Sequence, residues 1–153
     1  MWIPPEDADP VVFHAPTRKH TAVFGAVCPA DGRFLTMPAE TFDARSFQAF
    51  LGQLLRRRRR GRSLVVIVDN ARWHHARALR PWLREHRQVL RLDFLPPYSP
   101  DLHPVERVWK VTRRLCTHNV YFETLEGLIE VVREQFAKWF QPNLQLRRLC
   151  AII

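Results

Sequence analysis

Long hydrophobic runs are missing from this sequence. No apolar stretch is longer than the five residues from Leu64 to Val68, far short of the ~20 that a helix needs to cross a bilayer. No membrane partner is therefore expected. The segment from Met1 to Glu6 has neither a basic leader nor an apolar core, so no secretory signal is expected. Cysteine is scarce and unpatterned. Cys28, Cys116 and Cys150 are odd in number and far apart, with no CxxC pair, which argues against a disulfide framework and for reduced thiols in a cytoplasmic protein. A GxxxxGK[ST] loop is also lacking, and with it the phosphate cradle of a nucleotide hydrolase. No internal repeat or long linker interrupts the chain.

What is present describes one globular domain. The chain has 153 residues, 46% of them hydrophobic and 17 aromatic, enough to bury a core. Charge is lopsided. Residues 1–55 carry four Lys/Arg against six Asp/Glu, whereas residues 56–153 carry 20 against nine, so the formal +9 resides in the second part. A surface of that sign attracts polyanions, of which nucleic acid is the commonest for a soluble protein.

Periodicity gives an α/β order. Thr21 to Val27 and Arg33 to Met37 read as short strands joined by a turn through Pro29, Asp31 and Gly32. Asp43 is placed to cap a helix with Phe47, Phe50, Leu51, Leu54 and Leu55 on one stripe, running into Arg56–Arg60 and stopping near Gly61. The β-branched run Leu64 to Val68 suits a central strand covered on both faces. Residues 76–87 read as a helix that Pro81 must start or kink, and Val89 to Leu95 as a further strand. Four prolines in the nine residues 96–104 exclude regular structure there. Pro104 suits the first position of a following helix, and Leu125, Leu128, Ile129, Val132, Phe136, Trp139 and Phe140 mark another over 125–140.

Two carboxylates stand where chemistry can be done. Asp69 ends the buried strand, so its carboxylate projects into the crevice beyond the sheet, where a hard cation such as Mg²⁺ would find oxygen donors. The structural alternative is an Asp that begins a turn or caps the next helix. Glu106 follows the proline-rich loop in the first turn of a helix, with 36 residues between it and Asp69. Its alternative is also specific: with His103 as N-cap, Glu106 occupies the position that closes a capping box.

Leu64 to His74 (LVVIVDNARWH), the segment 95–110 (LPPYSPDLHPVERVWK) and Thr117 to Asn119 (THN) together resemble transposases of bacterial insertion sequences in the mariner-like superfamily. The VFGAV strand and the helix at 44–58 match the same layout, and the resemblance covers roughly residues 20–140. It implies an α/β fold of ribonuclease-H-like type, a mixed sheet with flanking helices, and a DDE endonuclease that cleaves and joins DNA phosphodiesters. It further implies two Mg²⁺ ions, or Mn²⁺ in their place, ~3.5–4 Å apart and held by three carboxylates. Asp69 matches the second carboxylate and Glu106 the third. Asn70 and His74 match flanking positions, with a turn-forming Asn and a helix-entry His as their alternatives. His103 stands where family members carry Asn, and can still accept a backbone bond.

The family's first Asp lies on the first strand of the sheet, upstream of the stretch that matches Trp2 to Pro5. Glu6, Asp7 and Asp9 end no apolar strand. Residues 1–153 are thus expected to form a single partial catalytic domain, without its first strand or the amino-terminal helix-turn-helix region, from a truncated or split copy. Its partners would be transposon ends and target DNA, and a second copy or the upstream half of a split transposase, in a bacterial, nucleoid-associated setting. The alternatives are a DNA-binding remnant without catalysis, or another ribonuclease-H-like nuclease. Arg56, Arg57 and Arg58, with Lys110, Arg113 and Arg114 at one and two turns beyond Glu106, are the candidate DNA contacts. Trp73 and Tyr98 could stack on unpaired bases, although packing is the commoner use of such rings. His74 and His75 are adjacent and lack partnering cysteines, so zinc is discounted.

Overall fold

The computed structural model describes residues 21–97 and 103–151. Trp2 to Pro5, Glu6, Asp7, Asp9, Tyr98 and the centre of the proline-rich loop lie outside the described residues.

Strand β1 (Ala22–Val27) pairs antiparallel with β2 (Phe34–Ala39), Ala22 opposite Ala39 and Val27 opposite Phe34. Helix α1 (Ala44–Arg56) comes next, its first turn closed by a capping box in which the Asp43 carboxylate accepts from Ser46 N and Ser46 Oγ accepts from Asp43 N. Strand β3 (Leu64–Val68) then pairs in parallel with β4 (Leu90–Phe94), the connection between them carrying two 3-10 turns (Arg72–His75 and Arg77–Leu79) and the short helix α2 (Arg80–Glu85). Helices α3 (Pro104–Cys116), α4 (Leu125–Trp139) and α5 (Leu144–Cys150) complete the order.

Two clusters form the core. Phe24, Phe47, Phe50, Leu51, Val68, Leu79 and Leu90 join α1 to strands of both sheets, with the Phe24 and Phe50 rings stacked at 5.4 Å. Phe34, Val105, Val108, Phe136, Trp139, Leu146 and Cys150 join the last three helices to β2. Gly25 makes the joint between β1 and α3 possible. A Cβ there would stand 2.6 Å from the Trp109 ring and 2.8 Å from the Phe34 ring, so only a residue without one lets the helix approach so closely.

Several expectations need correction. The polypeptide leaves α1 at Arg56, and Arg57 is its C-cap rather than part of a helix reaching Gly61. The helix expected over 76–87 shrinks to Arg80–Glu85, because Ala76 is extended (φ −59°, ψ 133°) and Pro81 sits in the first turn of α2. Strand β3 is covered on one face only: Val65 and Ile67 remain 46% and 45% exposed. Beyond these, α5 had no counterpart in the periodicity. Among the described residues the strands form two separate two-stranded sheets, β1 with β2 and β3 with β4, with no pairing between β1 and β3.

Candidate active site

The crevice beyond the carboxyl ends of the parallel strands is where an α/β sheet gathers functional groups, and Asp69 directly succeeds the last residue of β3. Its Oδ1 accepts from Ala71 N at 3.0 Å and lies 2.9 Å from His74 Nδ1. The turn-forming reading of Asp69 is therefore realised, but on one oxygen, and those contacts do not involve Oδ2.

His74 is the organiser of this corner. Nδ1 also lies 3.0 Å from Asp69 O; both neighbours are acceptors, so Nδ1 carries a proton. The imidazole is 11% exposed and packs against Phe47 at a centroid distance of 4.2 Å. Asn70 ties the ends of the two strands together, with Nδ2 donating to Leu95 O at 2.7 Å and Oδ1 accepting from His75 Nε2 at 3.2 Å. Its role is structural bracing. His75 stacks on Phe94 at 4.4 Å, and sequence reasoning missed this bracing contact because neither partner is near the other in the chain.

Glu106 follows the proline-rich loop, in the first turn of α3. His103 is the N-cap of α3, Pro104 is its first residue, and Glu106 N donates to His103 O at 3.0 Å. His103 makes no side-chain cap bond, so the capping-box alternative for Glu106 is not built, nor is the expected backbone bond to the imidazole at the cap. The ring turns instead toward the Ile67 main chain. Burial pushes it below its ordinary value, against the opposing pull of the Asp69 and Glu106 carboxylates and with a further push from His74. One imidazole that feels both carboxylates and the second imidazole places all four groups in one neighbourhood.

The basic residues divide into two sets. Phe47 of α1 touches His74, so Arg56 to Arg58 lie nine or more residues further along, about 14 Å at the helical rise. Arg57 is held there by a cation–π contact, 5.3 Å above the Phe140 ring. Lys110 and Arg113, by contrast, share the Glu106 face of α3 at i+4 and i+7, and Arg114 adjoins them. Trp73 is stacked on Phe42 at 5.4 Å with its Nε1 buried and unpartnered. The packing role of that ring is the one observed.

The donor chemistry suits a hard cation, two carboxylates flanked by imidazoles. Among the described residues, however, no group of three or more His, Cys, Asp or Glu side chains is arranged to hold a metal. No described helix is long and apolar enough to cross a membrane.

The class these features define is a mixed α/β domain of ribonuclease-H-like type, with carboxylates at the strand ends. Comparison with known proteins makes the assignment particular. The family described as "DDE superfamily endonuclease" matches residues 2–129, and the chain belongs to that family. It is 34% identical over 107 residues to the uncharacterized protein y4pE/y4sA of Sinorhizobium fredii, covering 70% of this chain and 76% of that one. It is 28% identical over 109 residues to the 39 kDa protein of insertion element IS630 from Shigella sonnei, covering 71% of this chain and 32% of the relative. Among solved structures, the catalytic domain of Mos1 mariner transposase superposes with a TM-score of 0.59 at 24% identity over 92% of this chain and 74% of that one. The Mos1 paired end complex with Mn gives 0.68 at 22% identity, over 98% of this chain and 46% of that one. The fold is thus that of transposase catalytic domains. The chain spans about a third of the length of the Shigella relative.

Proposed function

We propose that this chain carries the second and third carboxylates, Asp69 and Glu106, of a metal-dependent transposase site that cleaves and joins DNA phosphodiesters. The observation that supports the reading is that His103 feels the charge of both Asp69 and Glu106, in a chain of the DDE endonuclease family. Asp69 and Glu106 would hold Mg²⁺ or Mn²⁺, which supplies an activated oxygen nucleophile and charge stabilisation at phosphorus. His74 holds the Asp69 carboxylate in orientation through its protonated Nδ1, and Asn70 holds the strand ends in register. Burial of His103 disfavours a positive charge on its ring, against the pull of the two carboxylates. The basic second part of the chain attracts the DNA backbone. A first carboxylate would come from the strand that completes the sheet between β1 and β3, in the same polypeptide, an upstream half or a second copy.

The test combines thermal melting with cleavage. Titration with Mn²⁺ or Mg²⁺ should raise the melting temperature of the wild-type chain, and the rise should vanish in Asp69→Asn and Glu106→Gln. With the upstream strand supplied, cleavage of a transposon-end duplex should depend on the metal and on both residues. Melting curves that ignore the metal, with cleavage indifferent to Asp69, would overturn the proposal. Among the described residues no three His, Cys, Asp or Glu side chains are grouped to hold a metal, and the second reading is accordingly a DNA-binding module without cleavage. Salt-sensitive DNA binding with no metal response at all would support it.

A further inference from the structure

The end of α3 is built differently from its beginning. Lys110, Arg113, Arg114, Thr117, His118 and Asn119 line an open cleft of about 500 Å³, in the size range of small-ligand sites. None of the three ion pairs found among the described residues involves these side chains, and Lys110, Arg113, Arg114 and His118 are all exposed. Among the described residues, their charge has no ion-pair partner.

A bland explanation exists, since basic side chains favour a helix carboxyl end, where carbonyls point outward. Here the carbonyl with most to gain is already served. Arg113 O accepts from Thr117 N at 3.0 Å, His118 N at 2.9 Å and Thr117 Oγ1 at 3.0 Å. Asn119 then takes the left-handed conformation, φ 57°, which turns the chain and closes the cleft's far wall. Arg113 O is thus capped by the helix's own last turn, without a basic side chain. The geometry also has a direction. Glu106, Lys110, Arg113 and Thr117 recur at i, i+4, i+7 and i+11, a single face, so the cleft runs from about 6 Å (Lys110) to about 16 Å (Thr117) along the helix from the candidate carboxylate. A nucleic-acid backbone leaving the carboxylate site along this face would bring later phosphates over Lys110 and into the cleft.

We infer that this cleft is a phosphate subsite for the DNA backbone, separate from the carboxylate site and flanking it along α3. The inference rests on the proposed DNA function. The ligand is the phosphodiester anion, read without base sequence, through Lys110, Arg113, Arg114 and His118. The THN segment, Thr117 to Asn119, forms the turn that shapes the pocket.

Salt-dependent binding to a short duplex tests it, by fluorescence anisotropy on the full chain. Each phosphate contact contributes about 0.9 to the slope of log affinity against log salt. Arg113→Gln/Arg114→Gln should therefore flatten the slope by about 2 and weaken binding alike on unrelated sequences. Gln keeps helix propensity close to that of Arg, and circular dichroism checks the fold. The charge-matched control Arg84→Gln/Arg87→Gln, on and just after α2, should leave the slope at its wild-type value. An unchanged slope in the α3 variant, or an equal loss in the control, overturns the subsite while leaving the DNA reading intact. A wild-type chain that binds no duplex DNA, or binds matched RNA only, overturns both. Asp69→Asn, by contrast, should lose the metal response and keep the wild-type slope.

Discussion

Asp69 shows how a structural and a chemical role can share one side chain. Oδ1 is engaged by Ala71 N and His74, which fixes the carboxylate plane, while Oδ2 lies outside those bonds. Partners that orient a metal-binding carboxylate typically change affinity 10–100-fold when removed. His74→Ala should therefore weaken the Mn²⁺-dependent rise in melting temperature by about that factor in apparent Kd, whereas His75→Ala should shift it far less. A titration of melting temperature against Mn²⁺ reads both. The thiols offer a second residue-scale expectation. Burial pushes the Cys116 and Cys150 thiols up, with Lys138 and Arg107 respectively opposing it, while Cys28 is only half-buried. Because both folded values lie above the unfolded one, the native state keeps these protons longer. Their contribution to stability is present below pH ~9 and lost as pH rises above it. Mass spectrometry after brief alkylation should find label on Cys28 well before Cys116 or Cys150, and denaturant should abolish the difference.

Elements were legible in the sequence where their signals are local. Asp43, the β-branched run ending at Val68 and the Pro104 start all act within a few residues, and each marks an element that formed, although α1 ends sooner and β3 is less covered than expected. The failures share a cause in contacts distant along the chain. Helix α5 has seven residues, too few to stand alone, and it exists because remote groups hold it. Asn143 N donates to Asp31 O at 2.8 Å, Arg107 Nη1 donates to Leu149 O at 3.1 Å, and Leu146 and Cys150 are fully buried. The Pro142-Asn143 pair was the available sign of a helix start. Likewise, residues 72–75 form a 3-10 turn because His74 and His75 bond back to Asp69 and Asn70, which no helical periodicity could show. Of the candidate site, Asp69 and Glu106 were legible from motif and spacing, but the imidazole between them was visible only as an altered cap. Two substitutions test this level. Asn143→Ala removes a side chain that accepts from Leu146 N at 3.0 Å and should cost about 1 kcal/mol. Gly25→Ala presses a methyl into Trp109 and Phe34 and should cost about 1–3 kcal/mol. Denaturant unfolding measures both. If the latter were neutral, α3 would be free to shift and would not be held by β1.

At the scale of the whole molecule, the edge of β3 that is unpaired among the described residues decides how the domain completes itself. Leu64 N donates to Val89 O, and Leu95 N donates to Val68 O. With Leu64 opposite Leu90 in a parallel register, alternation assigns the amides of Leu64, Val66 and Val68 to β4. The amides of Val65 and Ile67 face the other way, along an edge that no described strand pairs with and that the His103 ring meets at Ile67. Their side chains are also nearly half exposed, a combination that leaves a strand ready to pair. Under the proposed function, a further strand paired along this edge would bring its own end beside Asp69 and supply the remaining carboxylate there. Amide hydrogen exchange monitored by NMR reads the state of this edge residue by residue. In the chain alone, Val65 and Ile67 should exchange far faster than Val66 and Val68. Supplying the upstream segment should slow Val65 and Ile67 selectively, leaving the amides already bonded to β4 little changed. Protection of Val65 and Ile67 from the outset, persisting on dilution, would show the edge already paired within the chain, and the idea of a strand supplied from outside would fall. Protection that disappears on dilution would instead identify the donor as a second copy.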